Sequence, residues 1–294
     1  MTVDNGRAVD AARRIAFLDV DGTLIDAGER IAPSTIEAVK SARANGHLVY
    51  LCTGRASSEI YPSIRSIGFD GAISAGGGFA EVDGELIISR TMPEDAVARM
   101  IAYFQTAGYD FYLQSHEVVY PSPGLYERFT EALAAERDVR VTDDPSVHSV
   151  IDRDVHPALK AFADVRPFAL TGIAKSVFAA ADLQAFDKVS EAFRDEFHVI
   201  TGTIPHLGRG SGEVTLAGVN KGTTILQLLD HLGIDVAASI GIGDSYNDLE
   251  MLQVCGVGIA MGNADDEVKA YADEVTTAVL DDGVWNAFSR HGLI

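Results

Sequence analysis

Short apolar runs alternate with amphipathic segments along this chain, and the rhythm changes twice. Ile15-Ala16-Phe17-Leu18 and Leu48–Cys52 are continuous apolar runs of strand length, the pattern of strands covered on both faces. Between them Ser34 precedes a helical spacing of Ile36, Val39 and Ala42 that stops at Asn45-Gly46, a capped start and a clear end. A helix over 56–67, a strand over Gly71–Ala75 and a triple glycine, Gly76–Gly78, follow. Strands alternating with helices predict a parallel sheet with right-handed crossovers.

From about residue 82 the alternation breaks. Val82-Asp83-Gly84-Glu85 is a hairpin turn leading to Leu86-Ile87-Ile88. Helices are expected at 94–107, 125–136 and 182–196, with strands at Asp110–Gln114, Val118–Tyr120 and Ser176–Ala179 and a glycine-rich extended section up to 216. Strands and helices without strict alternation suggest an inserted α+β module. After about 212 the first rhythm returns. Glu213–Leu216, Ala237–Ile242 and Val257–Ala260 read as strands, with helices at Gly222–Leu232, 247–255, 265–272 and 284–290. The expected fold class is therefore α/β, a doubly wound parallel sheet carrying an inserted α+β cap, with a core at 1–82 and 212–294 and the cap at 83–211.

Length and composition fit this picture. The 294 residues, 47% hydrophobic and 22% charged, suffice for two cores. Residues 1–12 read as a loose lead-in without a secretion signal, and no apolar stretch approaches membrane-spanning length. Cys52 and Cys255 both lie in apolar segments and read as buried thiols, as suits a reducing cytoplasm. A net charge of −20, from 43 acids against 23 bases, argues against nucleic acid or an anionic membrane as partner. It also means that an anionic ligand must be drawn in by local cations.

Candidate chemistry stands where strands end. The first strand runs into Asp19-Val20-Asp21-Gly22-Thr23, two carboxylates at i, i+2 facing the crevice where open α/β sheets hold ligands. Such neighbours repel unless a cation lies between them or one holds a proton; an Asp-Gly turn is the plain alternative. The second strand ends in Thr53-Gly54-Arg55, whose hydroxyl and backbone N–H groups could hold a phosphate oxygen. Lys221 stands at a helix start, unfavourable to the dipole but suited to a bound anion; a solvated surface lysine is the alternative. Asp244, Asn247 and Asp248 follow another strand. Asp244 is placed to complete an oxygen-rich Mg²⁺ site with Asp19, while Asp248 could orient Lys221 or a metal-bound water. A helix N-cap would explain one of these three, not all.

Asp-Val-Asp-Gly-Thr, Thr-Gly-Arg, Asn-Lys-Gly and Gly-Asp-Ser-Tyr-Asn-Asp together, in this order and spacing, resemble the haloacid dehalogenase-like superfamily of phosphatases. The insertion between the second and third motifs, and Gly258–Ala264 after the fourth, are similar to its Cof-like sugar-phosphatase group. The resemblance covers about residues 13–82 and 212–290, and only the architecture of the cap. It implies an Mg²⁺-dependent phosphomonoester hydrolase acting on a small phosphorylated metabolite. Asp19 would be the nucleophile that becomes an aspartyl-phosphate, and Asp21 the general acid and then base. Mg²⁺ would be held by the Asp19 carboxylate, the Asp21 backbone carbonyl and the Asp244 carboxylate. Thr53, with Gly54 permitting close approach, Lys221 and Asn247 would grip the phosphoryl group; Thr23 would position Asp21, and Asp248 would support Lys221.

Two other activities share parts of this pattern: a phosphomutase of the same superfamily, and a phospho-accepting signalling domain, against which Asp21 and the large cap argue. Where relatives commonly show Asn-Gly-Ala after the third strand, this chain has Gly76-Gly77-Gly78, which makes transfer of a relative's substrate unsafe. The glycines read as a place where the backbone turns toward the cap. In the cap, His116, Lys175, His206 and Arg209 are polar candidates that no spacing distinguishes. The stretch from Asp143 through His148 to His156 matches no zinc pattern and reads as an exposed loop. Tyr103, Phe104, Phe129 and Phe162 read as packing. Oligomeric state is not legible.

Overall fold

The computed structural model describes residues 13–137, 157–202, 207 and 210–294; His206, Arg209, the lead-in and the 143–156 stretch lie outside them. Two sheets organise the chain. The first has eight strands in the order β13-β12-β11-β1-β2-β3-β4-β5. These are β1 (Ile15–Leu18), β2 (Leu48–Cys52), β3 (Gly71–Ser74), β4 (Phe79–Val82), β5 (Glu85–Ser89), β11 (Ser239–Gly243), β12 (Val257–Ala260) and β13 (Glu274–Val275). All neighbours pair in parallel except β3–β4 and β4–β5. The second sheet is antiparallel, in the order β7-β6-β8-β10-β9. Its strands are β6 (Asp110–Gln114), β7 (Val119–Pro121), β8 (Lys175–Ala179), β9 (Phe197–Thr201) and β10 (Gly212–Leu216).

The period-2 geometry of a strand explains why the first sheet carries helices on both faces. Ala16 and Leu18 of β1 join Val49, Leu51, Ile240 and Ile242 in a core closed by α1 (Pro33–Ala44) and α10 (Gly283–Arg290). Ile15 and Phe17 point the other way, into a core with Tyr50, Ile225 and Leu228 under α7 (Lys221–Leu232) and α8 (Leu249–Val254). Cys52 and Cys255 are buried there as free thiols. The second sheet packs Phe111, Phe178 and Val214 against α3 (Glu94–Ala107) and α6 (Ala185–Phe193). Phe104 belongs to that core, while Phe129 and Phe162 fill the opposite one. Among the described residues no helix is long and apolar enough to cross a membrane.

β5 continues the first sheet through the Asp83-Gly84 hairpin, and β10 belongs to the second. The chain therefore leaves the first sheet after Ser89 and returns to it after Leu216. The helix expected over 56–67 is a 3₁₀ turn at Ser57–Glu59 and a separate turn at Pro62–Arg65, with Ile60 extended between them. Pro62 lacks an N–H and forces Tyr61 out of helical geometry. The helix expected over 265–272 is shorter, Asp266–Lys269. β9 and β13 carried no apolar alternation strong enough to be read from sequence; both lie at sheet edges, where partial exposure admits polar residues.

Candidate active site

The chain leaves β1 toward β2 on one side, while β11 joins β1 on the other, with Leu18 opposite Ile242. This is the switch point where a crevice opens beyond the strand ends. The Asp19 N–H still donates to the Ile242 carbonyl at 3.0 Å, so the first residue past β1 is held by the sheet. Gly22, at φ +86°, turns the chain under Asp244: a Cβ there would lie 2.0 Å from Asp244 Oδ2, so any side chain would strain the turn and collide. Asn263 pins the same turn, donating to the Gly22 carbonyl at 2.9 Å while its Oδ1 accepts from the Val279 N–H at 2.9 Å. Only the location of Asn263, in the glycine-rich segment after β12, hinted at such a role.

Lys221 opens α7 and is 1% exposed. Its helix is capped by Asn220, which accepts from the Thr223 N–H at 2.8 Å. Lys221 Nζ donates to Asp19 Oδ1 at 2.6 Å and to Asp248 Oδ1 at 2.5 Å, with Asn247 Oδ1 at 3.5 Å. The other Asp248 oxygen accepts from the N–H groups of Asp244 and Ser245, both at 3.0 Å. Thr23 Oγ1 donates to Asp244 Oδ1 at 3.1 Å, so its contact is to Asp244. Asp19, Thr23, Lys221, Asp244, Asn247 and Asp248 thus form one connected network drawn from three distant stretches of chain.

The network carries surplus negative charge. Carboxylate oxygens of Asp19, Asp244 and Asp248 lie within 4.8 Å of one another. Burial pushes Asp19 up to about 7; Lys221 opposes this, and Asp248 and Asp21 add to it. Burial likewise pushes Asp244 up to about 8, followed by repulsion from Asp19 and Asp248. Burial works against the Lys221 ammonium, but Asp19 and Asp248 outweigh it and hold its pKa up. A divalent cation fits this surplus. Asp248 is committed on both oxygens to Lys221 and the backbone, which leaves Asp19 and Asp244 as the pair able to hold one.

Asp21 turns its carboxylate away from this cluster. Arg55 grips it with two parallel bonds, Nε to Oδ2 at 2.7 Å and Nη2 to Oδ1 at 2.6 Å, the fork geometry that suits a carboxylate. Arg55 also donates to the Glu59 carbonyl at 3.1 Å and lies over the Tyr61 ring at 5.1 Å. The Asp21 side chain is 55% exposed. Arg55 stood in the Thr-Gly-Arg motif without an assigned role. Thr53, buried at the end of β2, accepts from the Arg55 N–H through its hydroxyl at 3.2 Å. Gly54, next in the chain, gives its carbonyl to Lys175 Nζ of β8 at 2.9 Å. His116 pairs with Glu81 of β4, a contact between the two sheets. The triple glycine has a packing reason: a Cβ on Gly77, φ +108°, would lie 2.3 Å from the Asn220 carbonyl oxygen beside Lys221. A cavity of about 290 Å³ lies between the network and the second sheet, with Lys221, Asn247, Gly76, Glu213 and Thr215 in its wall.

The sequence profile of the haloacid dehalogenase-like hydrolases matches residues 16–288. This chain belongs to that family. Among its relatives, the Bacillus subtilis 5-amino-6-(5-phospho-D-ribitylamino)uracil phosphatase YwtE is 30% identical over 280 residues, 91% of this chain and 94% of the relative. The Escherichia coli pyridoxal phosphate phosphatase YbhA is 27% identical over 274 residues, covering 89% and 92%. The solved structure of the subclass IIB sugar phosphatase BT4131 superposes with a TM-score of 0.72 at 25% identity, covering 96% of this chain and all (100%) of that one. The family implied by the four motifs is correct, and so is its Cof-like character: this hydrolase is a phosphatase with an α/β core and an inserted cap sheet.

Proposed function

We propose that this phosphatase hydrolyses a phosphomonoester of a small metabolite by an Mg²⁺-dependent route through an aspartyl-phosphate on Asp19. The observation that carries the reading is the Lys221 ammonium bridging Asp19 and Asp248 at 2.6 and 2.5 Å, with Asp244 on the same cluster. Lys221 holds Asp19 Oδ1 at the mouth of the crevice, so the free carboxylate oxygen attacks phosphorus. The O–P bond to Asp19 forms as the ester O–P bond breaks, and Asp21, once it leaves the Arg55 fork and carries a proton taken from solvent, delivers that proton to the departing oxygen. Asp21 then takes a proton from water, whose oxygen attacks the same phosphorus and releases phosphate and Asp19. Lys221, Asn247, Thr53 and the Gly54 backbone offset the charge on the phosphoryl oxygens.

Asp19, Asp244 and the Asp21 backbone carbonyl would hold Mg²⁺. When bound, it supplies positive charge that keeps two buried carboxylates ionised and offsets the phosphoryl charge. The half-exposed position of Asp21 suits proton exchange with water, and its Arg55 clamp fixes where the carboxylate stands. Two buried free thiols suit a reducing compartment such as the cytoplasm. The test is phosphate release from a panel of sugar phosphates, phosphorylated polyols, pyridoxal phosphate and an aryl phosphate, with Mg²⁺ and with EDTA. Release from at least one compound, abolished by EDTA and restored by Mg²⁺, is expected. Absence of release from all of them refutes the reading, and an isomerised sugar phosphate in place of free phosphate indicates a mutase.

A further inference from the structure

The inserted sheet sends one charged side chain down to the loop that follows β2. Gln114, Lys175 and Thr215 are register partners across β6, β8 and β10, so they share the face that looks toward the first sheet. Lys175 is 2% exposed, and its Nζ contacts Glu213 at 2.5 Å and the Gly54 carbonyl at 2.9 Å. An ammonium group has three protons to donate. Those two contacts use two of them.

The space over Gly54 shows where the third can go. A methyl placed on Gly54 would lie 3.2 Å from Lys175 Nζ and 3.3 Å from Asn247 Nδ2. The orientation of Asn247 is set by its oxygen, which accepts from Ser245 Oγ at 2.7 Å and faces Lys221 Nζ at 3.5 Å. Its NH₂ group is therefore the end turned to Gly54. Two donors, one of them cationic and buried, face a gap that glycine leaves open. Such a gap receives an oxygen that accepts from both.

We propose that Lys175, delivered by the inserted sheet and held by Glu213, is a phosphoryl-binding residue that shares one phosphoryl oxygen with Asn247 over Gly54. This rests on the phosphatase reading above and extends it: the grip on phosphate is completed only with the second sheet in place. Because the contact is to the phosphoryl group, its loss affects every monoester alike, whatever the alcohol. Glu213 sits beside the same space and lines the cavity, so it repels the anion while orienting Lys175. The two residues therefore act on phosphate with opposite signs.

The test compares the full-length wild type with Lys175→Met, Lys175→Arg and Glu213→Gln by titration calorimetry with inorganic phosphate in Mg²⁺, a readout that needs no turnover. Lys175→Met should weaken phosphate binding on the order of 10- to 100-fold, the range for a lost charge-assisted hydrogen bond, and Lys175→Arg should recover part of it. Glu213→Gln, which keeps an acceptor for Lys175 and removes the charge, should bind phosphate more tightly than wild type. With an aryl phosphate and glycerol 3-phosphate as substrates, Lys175→Met should lower kcat/KM by the same factor on both. Equal phosphate affinity in wild type and Lys175→Met overturns the proposal, as does a wild type that binds no phosphate. Weakened binding in both Lys175→Met and Glu213→Gln, tracking a fall in melting temperature, overturns it in favour of a structural brace. Should Lys175→Met fail to fold, the sign of the Glu213→Gln effect decides. A wild type that binds phosphate through Lys175 yet hydrolyses no monoester counts against the proposed function alone.

Discussion

Asp248→Asn separates a carboxylate that positions Lys221 from one that holds a metal. Asp248 accepts from Lys221 Nζ on one oxygen and from two backbone N–H groups on the other. An asparagine amide has a single acceptor oxygen. Its NH₂ group must therefore face either the ammonium or the two N–H groups, donor against donor. The substitution also leaves the buried Lys221 with Asp19 as its one close carboxylate. Breaking a buried pair by removing one partner costs about 3–5 kcal/mol, and an unmade buried contact falls in the same direction. For a chain of this size about 4 kcal/mol corresponds to a melting temperature lower by roughly 8–16 °C.

Turnover should fall together with stability, by about 100-fold or more, because Lys221, still paired with Asp19 but no longer held from the Asp248 side, is not fixed where it orients both Asp19 and a phosphoryl oxygen. The assays are thermal denaturation and steady-state phosphate release over a range of Mg²⁺ concentration. With Asp248 as a positioning residue, extra Mg²⁺ does not restore kcat. Recovery of wild-type kcat at high Mg²⁺, with a melting temperature within about 1 °C of wild type, would show Asp248 to be a metal ligand and refute the reasoning.

Asp19→Asn should abolish turnover while the protein still folds, since the loss of one of the two Lys221 partners is offset by the removal of a buried like charge from beside Asp244; measurable turnover removes Asp19 from the nucleophile's role. Asp19 and Asp244 have pKa values near 7 and 8 in the metal-free fold, above their ordinary value of 3.8, so the folded state holds protons that the unfolded chain releases. Metal-free stability should accordingly fall as pH rises from about 4 to 8, and the rise in melting temperature caused by Mg²⁺ should grow across that window; an equal Mg²⁺ effect at pH 5 and pH 8 contradicts the shared site. Gly22→Ala should destabilise the β1 turn and weaken Mg²⁺ binding, because its Cβ would lie 2.0 Å from Asp244 Oδ2 and push that carboxylate aside; calorimetric Mg²⁺ affinity equal to wild type counts against it.

The core was legible because both faces of its central strands are buried. Ile15–Leu18 and Leu48–Cys52 are uniformly apolar for that reason, and the observed strands have those bounds. Polar residues could then stand out at the strand ends, as Asp19, Thr53 and Asp244 did. Strands at the edges have no such signature: β9 mixes Phe197 and Val199 with His198 and Thr201, a pattern that does not separate a strand from extended loop. β10 misled in another way. Its alternating pattern is that of any half-buried strand, and only pairing with β8 and β9 assigns it to the second sheet. Arg55 and Lys175 carry no sequence signal as partners, because Arg55 meets Asp21 from the end of the neighbouring strand, and Lys175 meets Glu213 on the adjacent strand of the second sheet and the Gly54 carbonyl across the two sheets. Spacing along the chain carries no trace of the 2.9 Å between Lys175 and the Gly54 carbonyl.

The two aspartates of the first motif, separated by a single residue, end in opposite environments, and this gives the proposed division of roles a physical basis. Asp19 is 4% exposed and rests on Lys221, while the Asp21 side chain is 55% exposed and rests on Arg55. A nucleophile gains from a dry site where a fixed ammonium orients it; a proton carrier must exchange with water. Val20 sits between them, fully buried, and anchors the turn so that its neighbours diverge. The dry site has a cost, visible in the upward shift of Asp19 to about 7: burial favours the protonated form of the proposed nucleophile unless further positive charge is present. Lys221 alone does not remove this, since Asp248 claims it equally. A divalent cation held by Asp19 and Asp244 would, which under the proposed function ties the ionisation of Asp19 to metal occupancy and makes activity without metal the observation least compatible with that reading.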